Sequence, residues 1–332
     1  MIEILATGAL STVQDLGRFG VLRFGVGTSG AMDDIALAVG NILLGNDGNA
    51  AGIEVPILPF RLRFDADTDF ALTGADCAAT LDGQAVPPWW CLHARRGQVL
   101  ALGVPRSGAR AYLTVGGGLD VPAVLGSRST QLRGSFGGFE GRPLKKGDAL
   151  AIVARAEGAT PVSAISASGF GVRPPELGLP LPSGQEDVIA VRVLPAAEYD
   201  SYTAESLAQF WHQPWLVTPQ SDRYGYRLEG PGLQATRSME LRSHGIVPGV
   251  IQVPHSGQPI IQLRDAQPSG GYPKVGTVIE ADLWRLGQAR IGQSLRFVQV
   301  DHAQATVALE EKERYLVQLQ QAVQLQRKIW NN

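Results

Sequence analysis

The segment Asp265–Lys274 (DAQPSGGYPK) crowds a carboxylate, a double glycine, a phenol and an ammonium between two strand-like runs. Gly270 and Gly271 let backbone amides approach a ligand closely, because no Cβ stands in the way. Pro273 stiffens the turn, and Lys274 offers a point charge suited to a carboxylate or phosphate. Such a loop can hold a small anion. The same residues also fit a plain hairpin turn carrying one solvated lysine.

The rest of the chain bounds that choice. Its 332 residues are enough for two domains, each with a substantial core. With 18% charged residues, 44% apolar residues and a net charge of −2, the composition is that of an ordinary soluble protein. No basic arm points to nucleic acid, and no run is apolar enough for a membrane span or a signal peptide. Two cysteines, Cys77 and Cys91, suit buried thiols in a reducing compartment better than a disulfide framework. The cytoplasm is the default location.

Short apolar or alternating runs recur at Arg61–Phe64, Phe70–Thr73, Gln98–Leu102, Ala111–Val115, Ala149–Val153, Ile189–Leu194, Gln252–Val253, Ile260–Leu263 and Ser294–Val300. Turn residues separate them at close intervals, the mark of a mainly β barrel or sandwich. Two helices stand out. One spans Asp34–Leu44, capped by Asp33 or Asp34 and stopped by Gly45. The other spans Gln304–Trp330, with Leu316, Leu319, Val323 and Ile329 roughly on one stripe. Ala154–Glu186 is dominated by small residues, glycine and proline, and reads as an interdomain connection. The expected division is therefore 1–155, a linker at 156–187, 188–302, and a C-terminal helix at 303–332.

The two halves echo each other. PRSG at Pro105–Gly108 matches PHSG at Pro254–Gly257, and Lys146–Leu150 matches Ile291–Leu295. Gln14–Gly20 pairs with Gln220–Gly225, and Ser29–Asp33 with Pro248–Gln252. Four echoes in one order imply two copies of one β domain, the first carrying an insertion at about 34–100. Each copy places Asp beside Arg on a glycine turn: Asp15 with Arg18, and Asp222 with Arg223. Such neighbours form structural ion pairs or, facing a cleft, receive an anion.

Other motifs lead nowhere. Gly25–Gly30 fits G-x-G-x-x-G, but the βαβ series of a dinucleotide fold does not follow. No Walker loop occurs, the histidines lack metal-ligand spacing, and no nucleophile elbow is present.

Seven motifs, however, resemble one known family. They are TVQDLGRFG (Thr12–Gly20), SGAMD (Ser29–Asp33), LTGA (Leu72–Ala75), LGSRST (Leu125–Thr130), SDRYGYRLEG (Ser221–Gly230), VPGVIQVP (Val247–Pro254) and SGGYPK (Ser269–Lys274). In this order they are similar to allophanate hydrolase subunit 2, also known as KipA or the C subunit of 5-oxoprolinase. That family is related in turn to part of the carboxyltransferase region of urea carboxylase. The resemblance covers about residues 1–303. It implies two tandem cyclophilin-like β-barrel domains, a partnering KipI-like B subunit, and an active site shared between chains. It further implies ATP-dependent opening of 5-oxoproline to glutamate, together with the KipI-like B and lactam-utilisation A subunits. ATP would be shared with, or bound by, those partners. Two alternatives stay open: a biotin-dependent carboxyltransferase acting on a urea-like amide, and a KipA-like regulator of a kinase inhibitor. No A-M-K-M biotinylation motif occurs, and Pro268 stands where the family pattern has threonine.

A lactam amide is stable, so its oxygen must be activated before water can open the ring, and cations must offset the charge. Lys274 and Arg223 are the candidates, with the Gly270 and Gly271 amides as neutral donors. Asp265 can orient Lys274 or act as a base. Gln252, Gln267 and Tyr272 can read the lactam through neutral hydrogen bonds. Asp15, Arg18 and Asp33 are a possible second set in the first half. Lys274 itself reads as an exposed loop lysine.

Overall fold

The computed structural model of the chain describes residues 1–57, 59–154, 161–175, 179, 188–239 and 241–329. The chain divides into two compact units: Met1–Arg18 with Ser29–Pro175 and Arg314–Asn332, and Phe19–Thr28 with Glu176–Glu313.

The first unit begins with β1 (Ile2–Ala6), β2 (Thr12–Gln14) and α1 (Asp34–Leu44). The chain then runs through β3 (Gly52–Val55), β4 (Phe60–Phe64), β5 (Thr68–Asp76), β6 (Thr80–Leu81) and β7 (Gln84–Ala85). It continues with β8 (Trp90–Ala94), β9 (Val99–Leu102), β10 (Ser107–Val115), β11 (Ala149–Leu150), α2 (Val162–Ile165) and β12 (Phe170–Gly171). Two six-stranded sheets result, β11-β1-β4-β9-β6-β7 and β12-β8-β5-β10-β3-β2. Alternation on β4, with Phe60, Leu62 and Phe64 buried and Arg61 and Arg63 exposed, turns one face inward. Ile4, Phe64, Phe70 and Leu113, from both sheets, belong to one hydrophobic cluster.

The second unit supplies β13 (Val188–Pro195), α3 (Ala204–His212), β14 (Trp215–Val217), β15 (Gly225–Glu229), β16 (His244–Gly245) and β17 (Val250–Gln252). After these come β18 (Ile260–Gln262), β19 (Ser269–Gly270), β20 (Lys274–Val278), α4 (Leu283–Gln288) and β21 (Ser294–Gln299). Seven strands close a barrel in the order β13-β20-β17-β18-β15-β14-β21, and β16 with β19 makes a separate ribbon. Phe210 of α3 stacks on Phe297 of β21 at 4.7 Å between ring centres, beside the fully buried Trp215. Truncating one such ring typically costs about 3–5 kcal/mol. A final helix, α5 (His302–Ile329), follows.

The mainly β class, the barrel and the terminal helix match the sequence reading, and every strand-like run contains a strand. α1 forms with the expected bounds: Asp33 accepts from Ala36 N at 2.9 Å, and Gly45 ends the helix at φ 72°. Three echoes also have a conformational basis. Gly30 and Gly249 (φ 92° and 94°), Gly108 and Gly257 (72° and 76°), and Gly147 and Gly292 (91° and 84°) share left-handed backbone, which disfavours a Cβ.

Other expectations need correction. The first unit is built on two sheets where a second barrel was expected. Residues 34–100 are no insertion, because β3 to β8 and most of β9 come from them. In 156–187, the described part 161–175 joins the first unit, with β12 pairing β8 and Val162, Ile165 and Phe170 buried. The remainder of that segment, apart from Leu179, lies outside the described residues. Sequence reasoning passed over α3, although Thr203 caps it by accepting from Ser206 N at 3.2 Å. On α5, Val323 is buried as expected, while Ile329 is exposed. Trp330, its expected last residue, lies outside the described residues. Tyr315 and Arg327 anchor the helix through the carbonyls of Arg173 and Leu43.

Candidate active site

Gln252 on β17 and Lys274 on β20 are opposed partners in the barrel wall, so their side chains leave the same face. Ile251, Ile261 and Val275 are fully buried, and alternation turns Gln252, Gln262 and Lys274 away from that core. The β16–β19 ribbon meets them there. A Cβ on Gly270 would stand 2.6 Å from Gln252 Nε2. Glycine at 270 thus makes room for the Gln252 carboxamide, which accepts from Gln262 at 3.0 Å and donates to the Tyr272 carbonyl at 3.4 Å.

Lys274 is not a solvated loop residue. It opens β20, and its side chain is 14% exposed. One oxygen of Glu198 receives both its backbone N–H, at 3.1 Å, and its ammonium, at 3.2 Å. The ammonium also touches His244 Nε2. His244 Nδ1 lies 2.9 Å from the Arg242 carbonyl. A carbonyl only accepts, so Nδ1 carries the imidazole proton and Nε2 is left as acceptor for Lys274. Two of the three ammonium N–H groups are thereby used, which leaves a third to meet an incoming oxygen.

The strand leading into Lys274 borders a cleft of about 540 Å³, whose lining includes Tyr202, Leu233, Arg237, His255 and Tyr272. Burial and the nearby Glu198 carboxylate push the Tyr202 phenol above its ordinary pKa, so it stays a hydrogen-bond donor at neutral pH.

Asp265 does not serve Lys274. It forms a buried bidentate pair with Arg223, at 2.9 and 3.2 Å, with side chains 6% and 4% exposed. Neither residue lines the cleft. Gln267 is exposed and accepts from the Tyr224 hydroxyl at 2.9 Å. The structure thus gathers Lys274, Gln252, Gly270, Gly271 and Tyr272, and sets Arg223, Asp265 and Gln267 apart. Glu198, His244, Gln262 and Tyr202 were missed, because no local pattern connects them to the loop.

The second set has a different character. The Asp15 carboxylate accepts from Ser127 Oγ at 2.7 Å, Arg128 N at 2.6 Å, Gly17 N at 2.9 Å and Ser129 Oγ. Arg18 is fully buried and donates to the carbonyls of Val124 and Ser129, each at 2.9 Å. Both residues clasp the 124–129 loop, and Asp33 caps α1. Asp15→Asn sets a donor against this ring of donors and is expected to cost about 3 kcal/mol. Urea unfolding should show that loss while activity per folded molecule is kept. Normal stability with lost activity would return Asp15 to a catalytic role.

Cys77 and Cys91 are buried free thiols, pushed up to about 11 and about 12 by desolvation. Neither is an activated nucleophile. Among the described residues, no group of His, Cys, Asp and Glu could hold a metal ion, and no helix is long and apolar enough to cross a membrane.

A barrel wall carrying a lysine-centred cluster beside a cleft fits a domain that handles amides and carboxylates. Residues 24–299 match the carboxyltransferase domain family, subdomain A and B, and the chain belongs to this family. It is 42% identical over 319 residues to the C subunit of 5-oxoprolinase from Escherichia coli, covering 96% of this chain and 97% of that one. To the urea amidolyase of Saccharomyces cerevisiae it is 33% identical over 336 residues, 98% of this chain and 18% of the relative. Among solved structures, K. lactis urea amidolyase matches with a TM-score of 0.84 at 29% identity, over 96% of this chain. The chain spans about a fifth of that solved protein.

Proposed function

We propose that the chain is the C subunit of an ATP-dependent 5-oxoprolinase that opens 5-oxoproline to glutamate. Its partners are the KipI-like B and lactam-utilisation A subunits. The observation that carries this reading is the 42% identity to a 5-oxoprolinase C subunit over nearly the whole of both chains. Likeness to urea amidolyase favours, as a second reading, a carboxyltransferase segment acting on a urea-like amide; it rests on lower identity and on a small part of those relatives.

In the leading reading, ATP activates the lactam oxygen, water adds to the ring carbonyl carbon, and the carbon–nitrogen bond breaks. The nitrogen takes up a proton, and glutamate leaves with a new carboxylate. On this chain, the third N–H of Lys274 meets the oxygen on which charge develops, while Glu198 and His244 hold the ammonium in place. Gln252 and Gln262 fix the backbone of the 270–272 segment. With Arg237 and His255 at the cleft and no metal-holding group among the described residues, the site does not fit a metal-bound triphosphate. No step on this chain therefore runs through the nucleotide.

The purified chain should release negligible glutamate from 5-oxoproline, and adding the A and B subunits should restore release. Robust turnover by the chain alone would overturn the shared-site reading.

A further inference from the structure

Tyr202 presents an anomaly. The residue is 4% exposed, and its buried hydroxyl has no hydrogen-bond partner. An unsatisfied buried hydroxyl is costly, and phenylalanine would fill the same volume without it. Tyr202 lines the cleft beside Gly271, Tyr272 and Pro273. Arg237, also on the lining, is exposed and can pair with a carboxylate. No acidic side chain is among the lining residues, so nothing in the wall opposes an anion. Leu233, Val253 and Pro273 provide buried apolar surface for the body of a ring.

We propose that this cleft is the subsite for a cyclic amide bearing a carboxylate, with the Tyr202 hydroxyl donating to the ring carbonyl and Arg237 pairing the carboxylate. Tyr202 is then a specificity-determining residue. The choice of ligand rests on the 5-oxoprolinase reading. A five-membered ring fills only part of about 540 Å³, which leaves space for water and for the group that activates the ring oxygen.

Three probes separate the two contacts: 5-oxoproline, L-proline, which lacks the ring carbonyl, and 2-pyrrolidinone, which lacks the carboxylate. Calorimetric titration of the full chain should show 5-oxoproline binding at least about tenfold tighter than either of the others, as expected for hydrogen bonds to a buried donor and to a charged group. Tyr202→Phe should abolish the preference over L-proline, with a thermal midpoint equal to or above that of the parent. Arg237→Gln should abolish the preference over 2-pyrrolidinone and leave the preference over L-proline. Failure of the parent chain to bind 5-oxoproline, or full discrimination retained in Tyr202→Phe, overturns the assignment. Should the assembled subunits fail to hydrolyse 5-oxoproline while this binding pattern holds, the function falls and the subsite stands. Should turnover proceed with Tyr202→Phe fully discriminating, the subsite falls and the function stands.

Discussion

Arg223→Met is expected to lower the unfolding free energy by about 3–5 kcal/mol, the usual result of stranding one member of a buried ion pair. At roughly 2–4 °C per kcal/mol for a unit of this size, the thermal midpoint should fall on the order of 10 °C. Asp265 is 5% exposed and takes two hydrogen bonds from the Arg223 guanidinium. Removing the cation leaves the carboxylate desolvated and uncompensated. The double variant Arg223→Met with Asp265→Leu should recover most of the loss, since a buried pair exchanged for packed apolar groups is often neutral or better. Urea unfolding of the parent, both single variants and the double variant measures the coupling directly. If the single variants fold like the parent while turnover collapses, the pair belongs to the chemistry and not to the scaffold.

Lys274→Met is expected to reduce turnover by the assembled subunits at least about tenfold, the worth of one charged hydrogen bond in the transition state. The same change should also lower stability by about 1–2 kcal/mol, because Glu198 loses its counter-charge in a half-buried setting. A solvated loop lysine would show no such second effect. Lys274→Arg keeps the charge, and should recover more stability than activity, since the planar guanidinium cannot reproduce the ammonium's placement of its third donor. Steady-state kinetics beside urea unfolding separates the two effects. Normal turnover per folded molecule in Lys274→Met would remove Lys274 from the site.

Local punctuation made much of the fold legible. α1 was bounded correctly because Asp33 and Gly45 are a cap and a stop that act within one helical turn. The strands were legible through alternation of the kind seen in Phe60–Phe64. Tertiary pairing was not. Asp265 lies near Lys274 along the chain, yet pairs with Arg223 across 42 positions. Lys274 instead takes Glu198 from 76 positions away and His244 from 30. Barrel closure creates such neighbours, and no spacing in the sequence records them. The Gly270–Gly271 segment was correctly singled out for close approach, but what approaches Gly270 is the Gln252 side chain. Residues 34–100 passed for an insertion because only glycine turns were compared, and those turns say nothing about which strands build the core.

The most direct measurement is phosphate release from ATP by the assembled subunits, with either 5-oxoproline or bicarbonate plus urea as the co-substrate. Release stimulated by 5-oxoproline alone, and lost when this chain is left out, is the result expected of a 5-oxoprolinase C subunit. Stimulation by bicarbonate and urea, or 5-oxoproline-dependent release that persists without this chain, would contradict it.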